Sequence, residues 1–313
     1  MALTLAQAAS QATDQLQRGV MEVIATSGVV LDRLGFETIV GNSYKYWMEA
    51  TLPGSEFRAV NSAYAESTGT TTSATESLVI LGGDSDVDRF LQITRSNLLD
   101  QRATQTSMKA KSVQANFSTS FINGNTGTDA NAFNGLKTRL SGAQVFSMGT
   151  NGAPIIGNGT TDPHVFMDAL DNMISLVPDI DVLYCNSFVL SKYRSMARRL
   201  TIANQTVDSL GRTVDLYNGV PLVDIGNKAD GTPIIPQTET QGTSNIASSI
   251  YGVHFGSTLG DQGVVGIENG GMTVMDLGQL ETKPVLRTRI EWFCGVALFG
   301  PKPAARLTGV LAS

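Results

Sequence analysis

Two histidines, His164 and His254, and two cysteines, Cys185 and Cys294, are all the chain offers for nucleophile–base pairs or soft metal ligation. Their settings are poor for either. His164 falls in the first turn of a helical pattern, where it is expected to be exposed. His254 lies in a strand-like run and reads as structural. Cys185 follows Val182-Leu183-Tyr184 and Cys294 precedes Val296-Ala297-Leu298, so both read as buried free thiols. No Gly-x-Ser-x-Gly elbow, phosphate-binding loop or zinc spacing occurs. Asp84, Asp86 and Asp88 have the spacing that opens a calcium loop, but such a loop needs glycine at its sixth position and glutamate at its twelfth. Those positions hold Arg89 and Arg95, so a solvated, charged turn is the better reading. Gly157-x-Gly159 starts like a dinucleotide loop, but Asp162 stands where the third glycine belongs. Lys192, Arg194, Arg198 and Arg199 make one basic helix. At 100° per residue, Lys192 and Arg199 point one way and Arg194 and Arg198 another. They read as solvated charge, or as a contact for an acidic edge of a neighbouring subunit. No catalytic, cofactor-binding or metal-binding residue is assigned, no cofactor is expected, and the chain does not read as an enzyme.

Composition narrows the class further. The chain has 313 residues, 42% of them hydrophobic and only 16% charged, with a net charge of -6. A protein that grips nucleic acid by its phosphates carries a basic balance or stripe; this one has neither. Two cysteines cannot make a disulfide framework. No basic segment followed by an apolar run opens the chain, and no apolar stretch reaches membrane-spanning length, so no membrane contact is expected.

The elements that position these residues follow in chain order. Residues 4 to about 26 show an amphipathic helical stripe: Leu5, Ala9, Ala12, Leu16, Val20 and Val23. Tyr44 to Glu49 has strand composition, Leu52-Pro53-Gly54-Ser55 signals a turn, and residues 66–76 hold no large apolar side chain. A segment that polar is a loop, or an arm that a partner orders. Leu78 to Leu81 reads as a short strand ended by Gly82-Gly83, with a second strand over 86–93 returning through a tight turn. Residues 96–122 predict a long helix, with Leu99, Ala103, Ala110, Val113, Phe117 and Phe121 on one face. A helix between Asp162 and Pro178, a strand over 181–185 and a helix capped by Asn186 or Ser187 predict a compact α/β unit. Residues 226–249 read as loop. Strands over 285–292, 295–299 and 307–311 close the chain, returning towards residue 80.

This order resembles the Hong Kong ninety-seven-type capsid fold, the shell fold of tailed-bacteriophage major capsid proteins. The ending GVALFGPKPAARLTG is similar to that family's closing segment, and FRAVNSAYAESTGTTTSATESLVILGGDSDVDRF resembles capsid sequences of this layout. The resemblance covers essentially the whole chain. It implies an α+β fold with an N-terminal arm (1–40), an extended β-hairpin loop (41–80), a peripheral domain (81–125 and 275–313) holding a spine helix (96–122), and an axial domain (126–274).

It implies in turn a major capsid protein, made in the host bacterial cytoplasm and located in the virion. Such a protein self-assembles as hexamers and pentamers into an icosahedral head around double-stranded DNA. Its partners would be copies of itself, with scaffolding, portal and decoration proteins, and packaged DNA in non-specific proximity. The arm and the loop would gain their shape by lying across sister copies. Lys45 is the only lysine near the loop and has no assignable asparagine and acidic partner, so the shell is expected to be non-covalent. An encapsulin-like nanocompartment shell shares the fold and is the nearest alternative; a β-rich tail or adhesin protein is the other.

Overall fold

The computed structural model describes residues 28–95, 101–157, 164–201, 204–207 and 213–311. The helical stripe over 4–26, residues 96–100 of the long helix, and the Asp162-Pro163 start signal lie outside them.

Two sheets organise the chain. The first has four strands, ordered β1 (Phe36–Thr38), β13 (Gly263–Gln279), β14 (Val285–Phe299) and β4 (Val79–Asp88). β1 runs parallel to β13, and the other pairs are antiparallel. The long helix α2 (Gln101–Asn123) lies on one face of this sheet. At 1.5 Å per residue it is about 35 Å long. Its buried side, Ala110, Val113, Phe117 and Phe121, follows the helical period. Phe117 stacks within 5.1 Å of Trp292 on β14 and 5.9 Å of Phe36 on β1. Val30, Leu31 and Leu34, all fully buried, complete this core from the other end of the chain.

The second sheet runs β5 (Val145–Ser147), β15 (Ala304–Leu311), β12 (Ser244–Val253), β7 (Val182–Cys185), β10 (Val220–Asp224), β9 (Thr213–Tyr217) and β8 (Asn204–Val207). β11 (Glu239–Gln241) flanks β12, and β6 (Ala153–Pro154) flanks β15. β7 is buried on both faces because its side chains alternate between two cores. Leu183 and Cys185 point to a core covered by α4 (His164–Leu176) and α5 (Ser187–Leu200). Val182 and Tyr184 point to the core of the long helix, where Tyr184 meets Phe121 edge-on at 6.4 Å. Asn186 caps α5 by accepting from the Val189 N–H at 2.8 Å, as its position before the helix predicts.

Three local expectations fail. Gly82 and Gly83 do not end a strand: β4 continues through them to Asp88, facing Glu291 and Ile290 on β14. A Cβ on Gly82 would stand 2.2 Å from the Ile290 carbonyl oxygen, so the glycine serves close strand approach and no turn. The run 86–93, expected as a returning strand, divides: residues 86–88 finish β4, and the rest enters a short helix, α1 (Arg89–Arg95). Residues 226–249 are not all loop, since β11 and the first half of β12 lie there; Ser248 and Ser249 are polar yet buried, which hid the strand. Sheet membership also divides the chain differently from the expected boundary at 274/275. β13 spans it within the four-stranded sheet, and β15, near the chain's end, belongs to the larger sheet.

Candidate interaction surface: a projecting hairpin

β2 (Ser43–Thr51) and β3 (Thr70–Ser77) pair only with each other among the described residues, in an antiparallel hairpin that leaves the body of the molecule. The polar run 66–76 thus becomes a strand over most of its length. Its threonines and serines suit a strand with one solvated face.

The stem of this hairpin is bolted to its own chain. Tyr44, Tyr46 and Met48 share one face and pack with Ala74 over Ile39, Val265, Ile267, Ala297 and Phe299. The Tyr46 ring lies 4.6 Å from that of Phe299 at a steep angle. Its hydroxyl donates to the Leu298 carbonyl at 2.9 Å. Burial, helped by the nearby Glu76 carboxylate, pushes the Tyr46 pKa up to about 12. Beside it Arg139, on the short helix α3 (Leu136–Arg139), grips Glu76 with two parallel bonds of 2.5 and 2.7 Å. The Arg139 side chain is 16% exposed and that of Glu76 15%, so the pair is only partly screened. Between stem and body lies a cleft of about 1110 Å³, lined in part by Met48, Leu259, Leu298 and Phe299.

The tip, residues 52–69, is the opposite case. Leu52, Phe57, Val60 and Tyr64 are all largely or fully exposed. Local bonds shape it: the Ala65 N–H donates to the Glu56 carboxylate, Ser67 Oγ to the Gly54 carbonyl, and Arg58 to the Ser62 carbonyl. The Arg58 guanidinium sits 5.1 Å above the Tyr64 ring. None of this covers the apolar groups. On the stem's outer face Trp47 is 66% exposed, with Lys45 against its ring.

The residues singled out for chemistry are scattered. His164 starts α4 and is exposed. His254 Nδ1 lies 2.9 Å from Asp181 Oδ2, and that oxygen accepts from the Phe255 N–H, so Asp181 ties β7's entry to the end of β12. Both thiols are buried, and burial pushes their pKa values up. Asp84 and Asp86 are in a strand, not a turn. Each is clamped by an arginine of β14, Arg289 and Arg287, whose hydrogen bonds hold both carboxyls below the usual range. Gly157 ends a described segment, and Gly159 lies outside it. On α5, Arg194 pairs with Asp215, while Arg198 and Arg199 are exposed. Among the described residues no group of three or more His, Cys, Asp or Glu could hold a metal, and no helix is long and apolar enough to cross a membrane. Sequence reasoning missed the anchor Arg139–Glu76, whose members are 63 positions apart. It also missed the inward period-2 face Tyr44/Tyr46/Met48, a signal that was legible.

The family model "Major capsid protein GP7" matches residues 13–167. No curated protein matches. Among solved structures, the holo-SrpI encapsulin complex of Synechococcus elongatus aligns with a TM-score of 0.63 at 16% identity, covering 91% of this chain and 88% of that one. The capsid of a native GTA particle gives 0.62 at 15%, covering 90% and 89%. The structure titled Microbacterium phage Oxtober96 gives 0.56 at 13%, covering 90% of both chains. Likeness at such identities reports a shared fold.

Proposed function

We propose, from the premise that the chain is a tailed-bacteriophage major capsid protein with the Hong Kong ninety-seven-type fold that assembles into a shell, that its hairpin tip is the part that fastens one copy to the next. The exposed tip carries this reading. Four large apolar side chains stand in water on a hairpin whose base is fixed. Burying each would contribute about 1.5–3 kcal/mol, and no surface among the described residues covers them. A neighbouring copy would. Residues 1–40 would serve as an arm whose end, from Val30 to Thr38, is built into the first core and sheet. Residues 41–80 would be the loop, the four-stranded sheet with its long helix the peripheral domain, and the larger sheet with α4 and α5 the axial domain gathered in hexamers and pentamers.

The shell would enclose double-stranded DNA held by confinement, since a net charge of -6 offers the phosphates no attraction. Scaffolding, portal and decoration proteins would be its partners in the virion, after synthesis in the bacterial cytoplasm. The role is structural and not enzymatic, and the contacts are non-covalent. An encapsulin-like compartment shares the architecture, and its particles would hold protein cargo and no DNA.

Negative-stain electron microscopy of the chain, expressed with any neighbouring scaffold gene, tests the proposal. Closed particles are expected from wild type. A variant with Phe57, Val60 and Tyr64 all changed to serine should stay folded and form none. A tip variant that assembles like wild type would refute the fastening role. A wild type that stays monomeric at high concentration would refute the shell.

A further inference from the structure

The two helices on the Leu183/Cys185 face of the larger sheet carry opposite charge. α4 holds Asp168 and Asp171 and no lysine or arginine; α5 holds Lys192, Arg194, Arg198 and Arg199 and no carboxylate. Both turn their apolar sides to the same core: Phe166, Ala169, Leu170 and Met173 from α4, and Val189, Tyr193, Met196 and Ala197 from α5. The buried arc of α5 is narrow enough that its basic residues, divergent on a helical wheel, all border one exposed arc.

Some of this charge is used within the chain. Arg194 binds Asp215, and Asp171 accepts from the Tyr217 hydroxyl at 2.8 Å. Asp168, Arg198 and Arg199 are exposed and make no ion pair among the described residues. An apolar residue opens each face: Val165 on α4, and Phe188 on α5 with Lys192 above its ring. Arginines in a helix's last turn also complement its dipole. That accounts for Arg198 and Arg199, but not for an acid-free α5 beside a base-free α4.

Such a pair of faces suits a contact between copies. A two-fold axis through either helix would set like charge on like, and one between the helices would pair acidic with basic faces but close at a dimer, short of a shell. A head-to-tail contact sets the acidic helix of one copy against the basic helix of the next, and repeats until a ring closes. We propose that the α4 face around Asp168 and the α5 face around Arg198 and Arg199 form such a contact between adjacent copies of this chain. The proposal rests on the shell reading and names where the ring-forming edges lie. The charges would set register and speed encounter more than they add affinity.

Charge reversal followed by light scattering and electron microscopy tests it. Arg198→Glu with Arg199→Glu, or Asp168→Lys with Asn172→Lys, should each slow assembly about tenfold or more at physiological salt. The chain carrying all four changes should recover to within about threefold of wild type, as complementary charge predicts. Wild-type assembly should slow as salt rises; that of the half-reversed variants should not. A second readout does not depend on those variants folding. Asp168→Cys protein mixed with Arg198→Cys protein should give disulfide-linked dimers on oxidation, and neither alone should. Wild-type shells with indifferent charge variants and no mixed cross-link would overturn the contact alone. A wild type that never assembles would overturn the shell reading and the contact with it.

Discussion

One hairpin holds both Tyr46, only 9% exposed, and Phe57, which stands wholly in water in a segment with no core at all. From Tyr44 to Met48 every second side chain finds a partner on the body, and Glu76 finds Arg139. Beyond Thr51 the same chain turns its polar atoms to its own backbone and leaves its apolar groups in water. The lesson is that a projecting loop needs a rigid base. A tip mobile about its root would lose conformational entropy on every docking, at about 1–2 kcal/mol per ordered residue; a fixed root has already met part of that cost.

That contrast breaks in measurable ways. Tyr46→Ala should do the most damage, costing about 3–5 kcal/mol of protomer stability in urea unfolding because it deletes a buried ring and its hydrogen bond. It should also expose residues 43–77 to limited proteolysis. If its protease pattern matched wild type, the stem would not depend on that anchor. Arg139→Met should cost about 1–3 kcal/mol, since it leaves the partly buried Glu76 carboxylate without its partner. Exchanging the two charges, Arg139→Glu together with Glu76→Arg, should recover part of the loss.

A third outcome depends on pH. Burial raises the pKa of Glu268, and the Trp292 N–H donating to its carboxylate only partly opposes this. A raised folded pKa means that the group's contribution is present below its unfolded value and is lost as pH climbs through the folded one. Glu268→Gln keeps an acceptor for Trp292 and cannot ionise. Its advantage over wild type should therefore be absent in acid and grow towards neutrality, read as the difference between two melting curves across pH. A constant difference would contradict the assignment. Smallest in the protomer is Phe57→Ser, which should shift stability by less than about 0.5 kcal/mol while lowering particle yield sharply.

The chain's elements were legible wherever periodicity was strong. The long helix reads from Ala110, Val113, Phe117 and Phe121, and the α4–β7–α5 unit from its caps and apolar runs. Errors fell where a residue's usual meaning was overruled by its neighbours. Gly82-Gly83 signals a turn in isolation, but β14 approaches too closely there for a side chain. Asp84 and Asp86 signal solvent, but arginines 205 and 201 positions further along neutralise them in a sheet. Glycine also breaks β13 at Gly270 and Gly271, whose positive φ makes the bulge opposite β14 possible. The hairpin itself was visible as strand, turn and polar run. Its docking was not, because apart from Ile39 the surface it rests on comes from Arg139 and from residues 259–303, far along the chain.

The burial of Cys185 and Cys294 has a practical corollary. A thiol reacts as its thiolate, and only where a reagent reaches it. Sealed inside two different cores with their ionisation suppressed, these sulfurs should ignore maleimides and mild oxidants alike. The native chain is therefore a silent background for site-specific labelling, and one cysteine placed by design would carry the whole dye signal.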